Sequence, residues 1–256
     1  MKKLVAFVLL VAGFAWAQSP LDGTWKVNLT SAQFTQKPLT FVLQKDRYSC
    51  TDCSIKVDVR ADGSDQKVPE AKSYDTLAVK QVDERTVQFT RKKAGKVVYE
   101  STDTVSPDGK NLTEEFKEYP PQGQPVTGKV ALARVADGPQ GGHALSGSWR
   151  VQKVENVSEQ GLTFTLKSTA DGLSMSTPTG ESYDAKFDGK DYPVKGDRAG
   201  GVVSLKKIND TTIEETYKQD GKPVQSSQFS VQGKTLKVDL KNLRRGTTES
   251  FTAEKQ

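Results

Sequence analysis

Leu21-Asp22-Gly23-Thr24-Trp25 is answered in the second half of the chain by Leu145-Ser146-Gly147-Ser148-Trp149. The likeness runs on from there. Leu39-Thr40-Phe41 matches Leu162-Thr163-Phe164, Val79-Lys80 matches Leu205-Lys206, and Gly109-Lys110-Asn111-Leu112 matches Gly233-Lys234-Thr235-Leu236. A repeat this long describes two similar domains rather than a solenoid, whose period would be about 20–50 residues. The first unit spans 18–135 and the second 144–256. Between them 136–143 is rich in Gly and Pro and reads as a linker. It carries the sole histidine, His143, expected there to be solvent-exposed and inert. A residue present in both copies serves the fold, whereas one present in a single copy is available for something else.

Within each unit the apolar period is two. Leu39, Phe41 and Leu43 alternate with polar partners, as do Ile55, Val57 and Val59, then Leu162, Phe164 and Leu166, and Leu236, Val238 and Leu240. Alternation over such short runs predicts half-buried β-strands. Asp-Gly pairs at 62–63, 108–109, 171–172, 188–189 and 220–221 suit two-residue hairpin turns, because both residues tolerate positive φ. The expected fold is all-β: two tandem antiparallel up-and-down β-barrels of about eight or nine strands each. Closure is favoured over an open sheet because it leaves no unpaired edge.

Residues 1–17 read as a signal peptide. Lys2 and Lys3 precede an apolar run from Leu4 to Phe14, and Ala15-Trp16-Ala17 offers a small-x-small cleavage site. That run is too short to span a bilayer of about 30 Å, and no later stretch is apolar enough, so no membrane span is expected. The absence of cysteine just after the cleavage site argues against a lipid anchor. The expected location is therefore periplasmic or extracellular, in a bacterial source. Loss of the two lysines takes the formal net charge from +5 to +3. The longest basic runs, Arg91-Lys92-Lys93 and Arg244-Arg245, are short and mixed among acids, which does not suit a nucleic-acid binder. Only 34% of the residues are hydrophobic, enough for a small core in each unit and suited to sheets with one wet face.

Gly23-Thr24-Trp25 and Gly147-Ser148-Trp149 each open a strand-rich unit, and this resembles the Gly-x-Trp start of lipocalin-like (calycin-like) barrels. The resemblance implies that a cation from the last strand lies across the tryptophan near the closed end. The matching positions are Arg134 for the first unit and Lys255 for the second, which makes Trp25, Arg134, Trp149 and Lys255 structural residues. The whole chain also resembles uncharacterised exported bacterial proteins with two such repeats. Their repeats carry phrases like Phe187-Asp188-Gly189-Lys190-Asp191-Tyr192-Pro193-Val194 and a closing Glu254-Lys255-Gln256. That likeness implies no activity. The chain lacks a recognisable C-terminal helix and the second and third lipocalin motifs, so ligand binding does not follow from the family likeness.

Cys50-Thr51-Asp52-Cys53 has strand-like sequence on both sides, where a thioredoxin-type site needs a helix to lower the thiol pKa. A zinc site needs two more ligands than the chain offers nearby. The pair reads as a local disulfide, as expected of an exported protein. Near the equivalent positions the second copy has Met175 and Pro178, so the fold does not need the pair. One histidine in a linker disfavours Ser-His-Asp catalysis. Glu114-Glu115 and Glu214-Glu215 are strand neighbours and point to opposite faces. No enzymatic, metal or cofactor motif stands out.

Alternation places Val87, Phe89 and Arg91 on one face, Leu112, Glu114 and Phe116 on another, and Ile213, Glu215 and Tyr217 on a third. If those faces point inward, charged groups enter an apolar lumen. Two readings stay open. The charges pair with each other, Arg91 with Glu114 and Glu215 with Lys255; or Arg91, Glu114, Glu215 and Tyr217 orient the polar end of a ligand. The functional expectation is an exported, non-enzymatic protein binding a small hydrophobic or amphipathic molecule. The alternative is an envelope interaction or scaffold protein with filled barrels, using the aromatic-proline segment Lys190–Val194.

Overall fold

The computed structural model describes residues 19–35 and 37–256; the expected signal peptide lies outside them. The first ten strands are β1 (Gly23–Phe34), β2 (Leu39–Gln44), β3 (Arg47–Cys50), β4 (Val57–Arg60), β5 (Gln66–Lys67), β6 (Thr76–Gln81), β7 (Thr86–Lys93), β8 (Lys96–Val105), β9 (Asn111–Glu118) and β10 (Val126–Asp137). The next ten are β11 (Gly147–Glu155), β12 (Thr163–Ser168), β13 (Gly172–Ser176), β14 (Ser182–Lys186), β15 (Tyr192–Pro193), β16 (Val202–Asn209), β17 (Thr212–Gln219), β18 (Lys222–Gln232), β19 (Thr235–Asn242) and β20 (Thr247–Lys255). They form two ten-stranded antiparallel sheets, each nearly closed into a barrel. Ten strands exceed the expected eight or nine because short segments, β5 and β15, complete each closure. Isolated bridges, Asp62 to Lys80 and Ser182 to Lys195, help to bring the sheet ends together.

The barrels do not coincide with the sequence repeats. Barrel 1 runs β4-β3-β2-β11-β10-β9-β8-β7-β6-β5, and barrel 2 runs β14-β13-β12-β1-β20-β19-β18-β17-β16-β15. Each repeat has given its opening strand to the other. Trp25 on β1 pairs with Phe164 and Lys255, and Trp149 on β11 pairs with Leu39 and Arg134. The assignment of 18–135 to one barrel and 144–256 to the other is corrected accordingly, and the cation–tryptophan pairs cross with it. Both opening strands carry the same Gly-x-Trp pattern, so either barrel accepts either strand, the condition under which identical elements exchange. The path favours exchange too. β1 ends at Phe34, and beyond Pro38 the chain enters β2 of the neighbouring barrel.

The repeated pentapeptide builds the end of each barrel that the tryptophan closes. Trp25 and Trp149 are fully buried, and their indole N–H groups donate to the carbonyls of Leu21 and Leu145 at 3.0 and 2.8 Å. The Arg134 guanidinium lies 4.1 Å from the Trp149 ring and Lys255 Nζ lies 5.6 Å from that of Trp25. Gly23 and Gly147 have φ of 145° and 138°, and a Cβ on either would meet the Lys255 or Arg134 side chain at about 2.5 Å or less. Glycine therefore makes room for the cation. Ser146 Oγ accepts from the Leu43 N–H at 2.9 Å, and Asp22 accepts from the Ser168 N–H at 2.6 Å, tying each plug to the adjacent strand.

Of the five Asp-Gly pairs, only Asp220-Gly221 forms a two-residue hairpin turn with both φ positive. At Asp62, Asp108 and Asp188 the carboxylate instead accepts the N–H two residues on, holding a wider loop. His143 is likewise not inert. Its Nε2 lies 2.7 Å from the Asp83 carbonyl, its Nδ1 accepts from the Leu145 N–H at 3.0 Å, and its own N–H donates to the Leu43 carbonyl. The 136–143 segment is thereby pinned to barrel 1. Cys50 and Cys53 form a disulfide, with Cα atoms 5.6 Å apart.

The ends of the barrels away from the tryptophans face each other. The disulfide loop, the 68–75 loop and the β9–β10 loop of barrel 1 meet the 177–181 loop, the 195–201 loop and the turns after β17 and β19 of barrel 2. Lys72 pairs with Asp220 at 2.9 Å, Arg245 Nε donates to the Asp52 carbonyl at 3.0 Å, and the Gln122 N–H donates to the Thr179 carbonyl at 3.3 Å. Arg198 donates to the Tyr119 carbonyl and lies 3.9 Å from Glu118. The two open rims are thus apposed, and the exchanged strands cross the seam between them.

Candidate functional site

Both lumens contain the charged faces that alternation singled out, but they are furnished differently. In barrel 1, Arg91 stands on β7 opposite Tyr99 on β8, and Asp103 on β8 stands opposite Glu114 on β9. The Arg91 guanidinium lies 4.4 Å from the Tyr99 ring and 5.4 Å from that of Tyr74. The Tyr99 hydroxyl donates to Glu114. The expected direct Arg91–Glu114 pair is therefore replaced by a relay through Tyr99, because the guanidinium is held on aromatic faces, where it is attracted by the ring quadrupole. Its Nε is buried with no hydrogen-bond partner among the described residues. Burial, and after it the neighbouring Glu114, pushes the Asp103 carboxyl well above its usual range. Asp103, Glu114 and Arg91 thus share one lumen, with Tyr99 between the guanidinium and Glu114. Tyr48 packs edge-on against Phe89 at 5.1 Å and Phe116 stacks on Tyr99 at 6.1 Å. Aromatic rings thus line this lumen beside its charged groups.

Barrel 2 carries a different set on the equivalent strands. Thr86-Val87-Gln88-Phe89-Thr90-Arg91 on β7 corresponds to Thr212-Ile213-Glu214-Glu215-Thr216-Tyr217 on β17. Glu215 therefore takes the place of Phe89, Tyr217 that of Arg91, and Gln225, which faces Tyr217, that of Tyr99. Smaller side chains and the loss of the aromatic stack leave a cavity of about 230 Å³, walled in part by Met175, Tyr183, Val203, Glu215 and Tyr217. Glu215 is 9% exposed and accepts from the Tyr183 hydroxyl at 2.6 Å. The expected Glu215–Lys255 pair is corrected: Lys255 lies at the tryptophan end, over Trp25. Burial raises the Glu215 carboxyl above its ordinary value, with the Tyr183 hydrogen bond opposing. Tyr217 is held by donation to Asp197 at 2.6 Å, and glycine at 201 leaves space for its ring. Asp197 and Glu181 stand at the rim of this cavity and also line a cleft of about 330 Å³ at the seam between the barrels.

Alternation thus found Arg91, Glu114, Glu215 and Tyr217, and the structure brings the first two into one lumen and the last two into the other. It also held a signal for Asp103, which shares parity with Tyr99 and Ser101 on β8. Asp197 sits in a loop with no periodic pattern to reveal it. Among the described residues no group of acids, histidines or cysteines is arranged to hold a metal ion, and no helix is long and apolar enough to cross a membrane. No protein-family model, curated protein or solved structure matches the chain.

Proposed function

We propose that this is an exported, non-enzymatic, lipocalin-like binding protein that takes one small hydrophobic or amphipathic ligand in barrel 2, with barrel 1 as its support. The observation that carries this reading is the contrast between the two lumens. Duplicated barrels start alike, yet where barrel 1 has Phe89, Arg91 and Tyr99, barrel 2 has Glu215, Tyr217 and Gln225. These border a cavity of about 230 Å³ in which convergent polar groups meet Met175, Val194 and Val203, a mixture suited to a ligand with a polar end. The scaffold alternative has less support. Its aromatic-proline segment folds into β15, where Tyr192 and Val194 pack on the barrel 2 core.

Met1 and Met175 are the only methionines, so methyl labelling of methionine in the exported chain leaves one reporter, on the cavity wall. Titration with cyclohexanol should shift the Met175 methyl resonance in a saturable way. Filling the space with Val203→Trp, which keeps the reporter, should abolish that shift. A methyl signal indifferent to every small probe would remove the reading.

A further inference from the structure

Barrel 1 demonstrates how this architecture satisfies a carboxylate in its lumen. Glu114 is bound by a tyrosine hydroxyl, and that tyrosine ring carries a guanidinium on its face. Barrel 2 reproduces the first half of that arrangement. Glu215 is bound by the Tyr183 hydroxyl, with a second ring, Tyr217, on its own strand two residues away. The second half is missing. The position of Arg91 is taken by Tyr217, no cation pairs with Glu215 among the described residues, and open volume borders it instead. A buried carboxylate normally has a charged or fully hydrogen-bonding partner. The rim adds Asp197 and Glu181, both acidic. Arg198, which lines the adjoining cleft, is turned to the Tyr119 carbonyl and Glu118 of barrel 1 across the seam.

Resting on the reading of barrel 2 as a ligand site, we infer that its ligand is a small organic cation, a protonated amine on a compact apolar body. The ammonium sits on Glu215, supplying the cation that this lumen lacks, and the body lies against Met175, Val203 and the tyrosine rings. A cavity of about 230 Å³ limits that body. At roughly 30 Å³ for each water displaced, it holds a six-membered ring with one polar substituent and little more. The acidic rim favours entry of a cation and disfavours an anion of the same shape.

The test uses the full exported chain and three probes of one shape: cyclohexylamine, cyclohexanol and cyclohexanecarboxylate, measured near neutral pH by calorimetry and by the Met175 methyl signal. The amine should bind about tenfold or more tightly than the alcohol, and the carboxylate should bind weakest. Glu215→Gln should abolish the preference for the amine over the alcohol. Equal affinity for amine and alcohol, or preference for the carboxylate, overturns the cation inference while leaving the cavity reading in place. Failure of all three probes overturns both. If Glu215→Gln does not fold, as judged by circular dichroism, Tyr183→Phe serves instead. It keeps the carboxylate and removes its internal donor, so preference for the amine should persist or rise, and loss of that preference overturns the inference.

Discussion

At the scale of single residues, the two cation–tryptophan pairs are unequal. Arg134 bonds three carbonyls, those of Gly109, Ser146 and Ala144, at 2.6, 2.6 and 2.5 Å, while stacking on Trp149. Lys255 lies farther from Trp25. Arg134→Ala leaves carbonyls unsatisfied near a buried indole and should cost about 2–4 kcal/mol in urea denaturation. Lys255→Ala should cost only about 0.5–1 kcal/mol. Glu215 yields a second expectation. Its folded-state pKa is raised, so between its ordinary value of 4.5 and that higher value the folded chain holds a proton that the unfolded chain has lost. Stability from this group is complete below 4.5 and declines as pH rises. Glu215→Gln cannot ionise, so its melting temperature relative to the unmodified chain should improve as the pH is raised from below 4.5 to neutral. Parallel melting profiles across that range would contradict the assignment.

At the scale of elements, the exchange of β1 and β11 decides which residues meet. Asn28 on β1 faces Thr252 on β20, so Asn28→Cys with Thr252→Cys should form a disulfide that joins the first repeat to the second. Mapping the bridged peptides by mass spectrometry checks this. No bridge in that variant, with a bridge formed instead by Asn28→Cys paired with Ala131→Cys on β10, would mean that each repeat keeps its own strand. Much of this level was legible in the chain. Period-two alternation marked β2, β12 and β19, and strand parity put Arg91, Glu114, Glu215 and Tyr217 inside. The exchange was not legible, because Gly23-Thr24-Trp25 and Gly147-Ser148-Trp149 fit either barrel equally well. Strand pairing between near-identical partners is decided by connection geometry and by the path past Pro38, not by side-chain identity. The turns show a related limit: an Asp-Gly pair permits a tight hairpin, but how many residues separate the paired strands is set by the register, and β8–β9 and β12–β13 are neighbours joined by other turns.

At the scale of the whole molecule, the barrels present their open rims to one another, so access to the barrel 2 cavity is governed by the seam. Arg198 bridges that seam to the Tyr119 carbonyl, and its side chain is 22% exposed. Arg198→Ala should leave both barrels folded but loosen the rim. Amide hydrogen exchange in the 119–123 and 195–201 segments should rise severalfold, with a loss of about 1–2 kcal/mol in overall stability. Unchanged exchange there would mean that the bridge does not hold the seam. The disulfide loop, present in one copy only, also lies at this seam, where the Asp52 carbonyl receives Arg245. Features unique to one repeat therefore gather where the barrels meet or inside the lumens, while shared features build the closed ends.

The sequence alone determined the all-β class, the twofold repetition, the local disulfide and the inward parity of the charged faces. These follow from short-range regularities: a side-chain period of two, and residue types with narrow backbone preferences. Only the tertiary structure decided which barrel each opening strand completes, that Arg91 rests on tyrosine rings rather than on Glu114, and that a cavity borders Glu215. Those outcomes depend on distances between strands far apart in the chain, and on the volume left once all the inward side chains share one enclosed space.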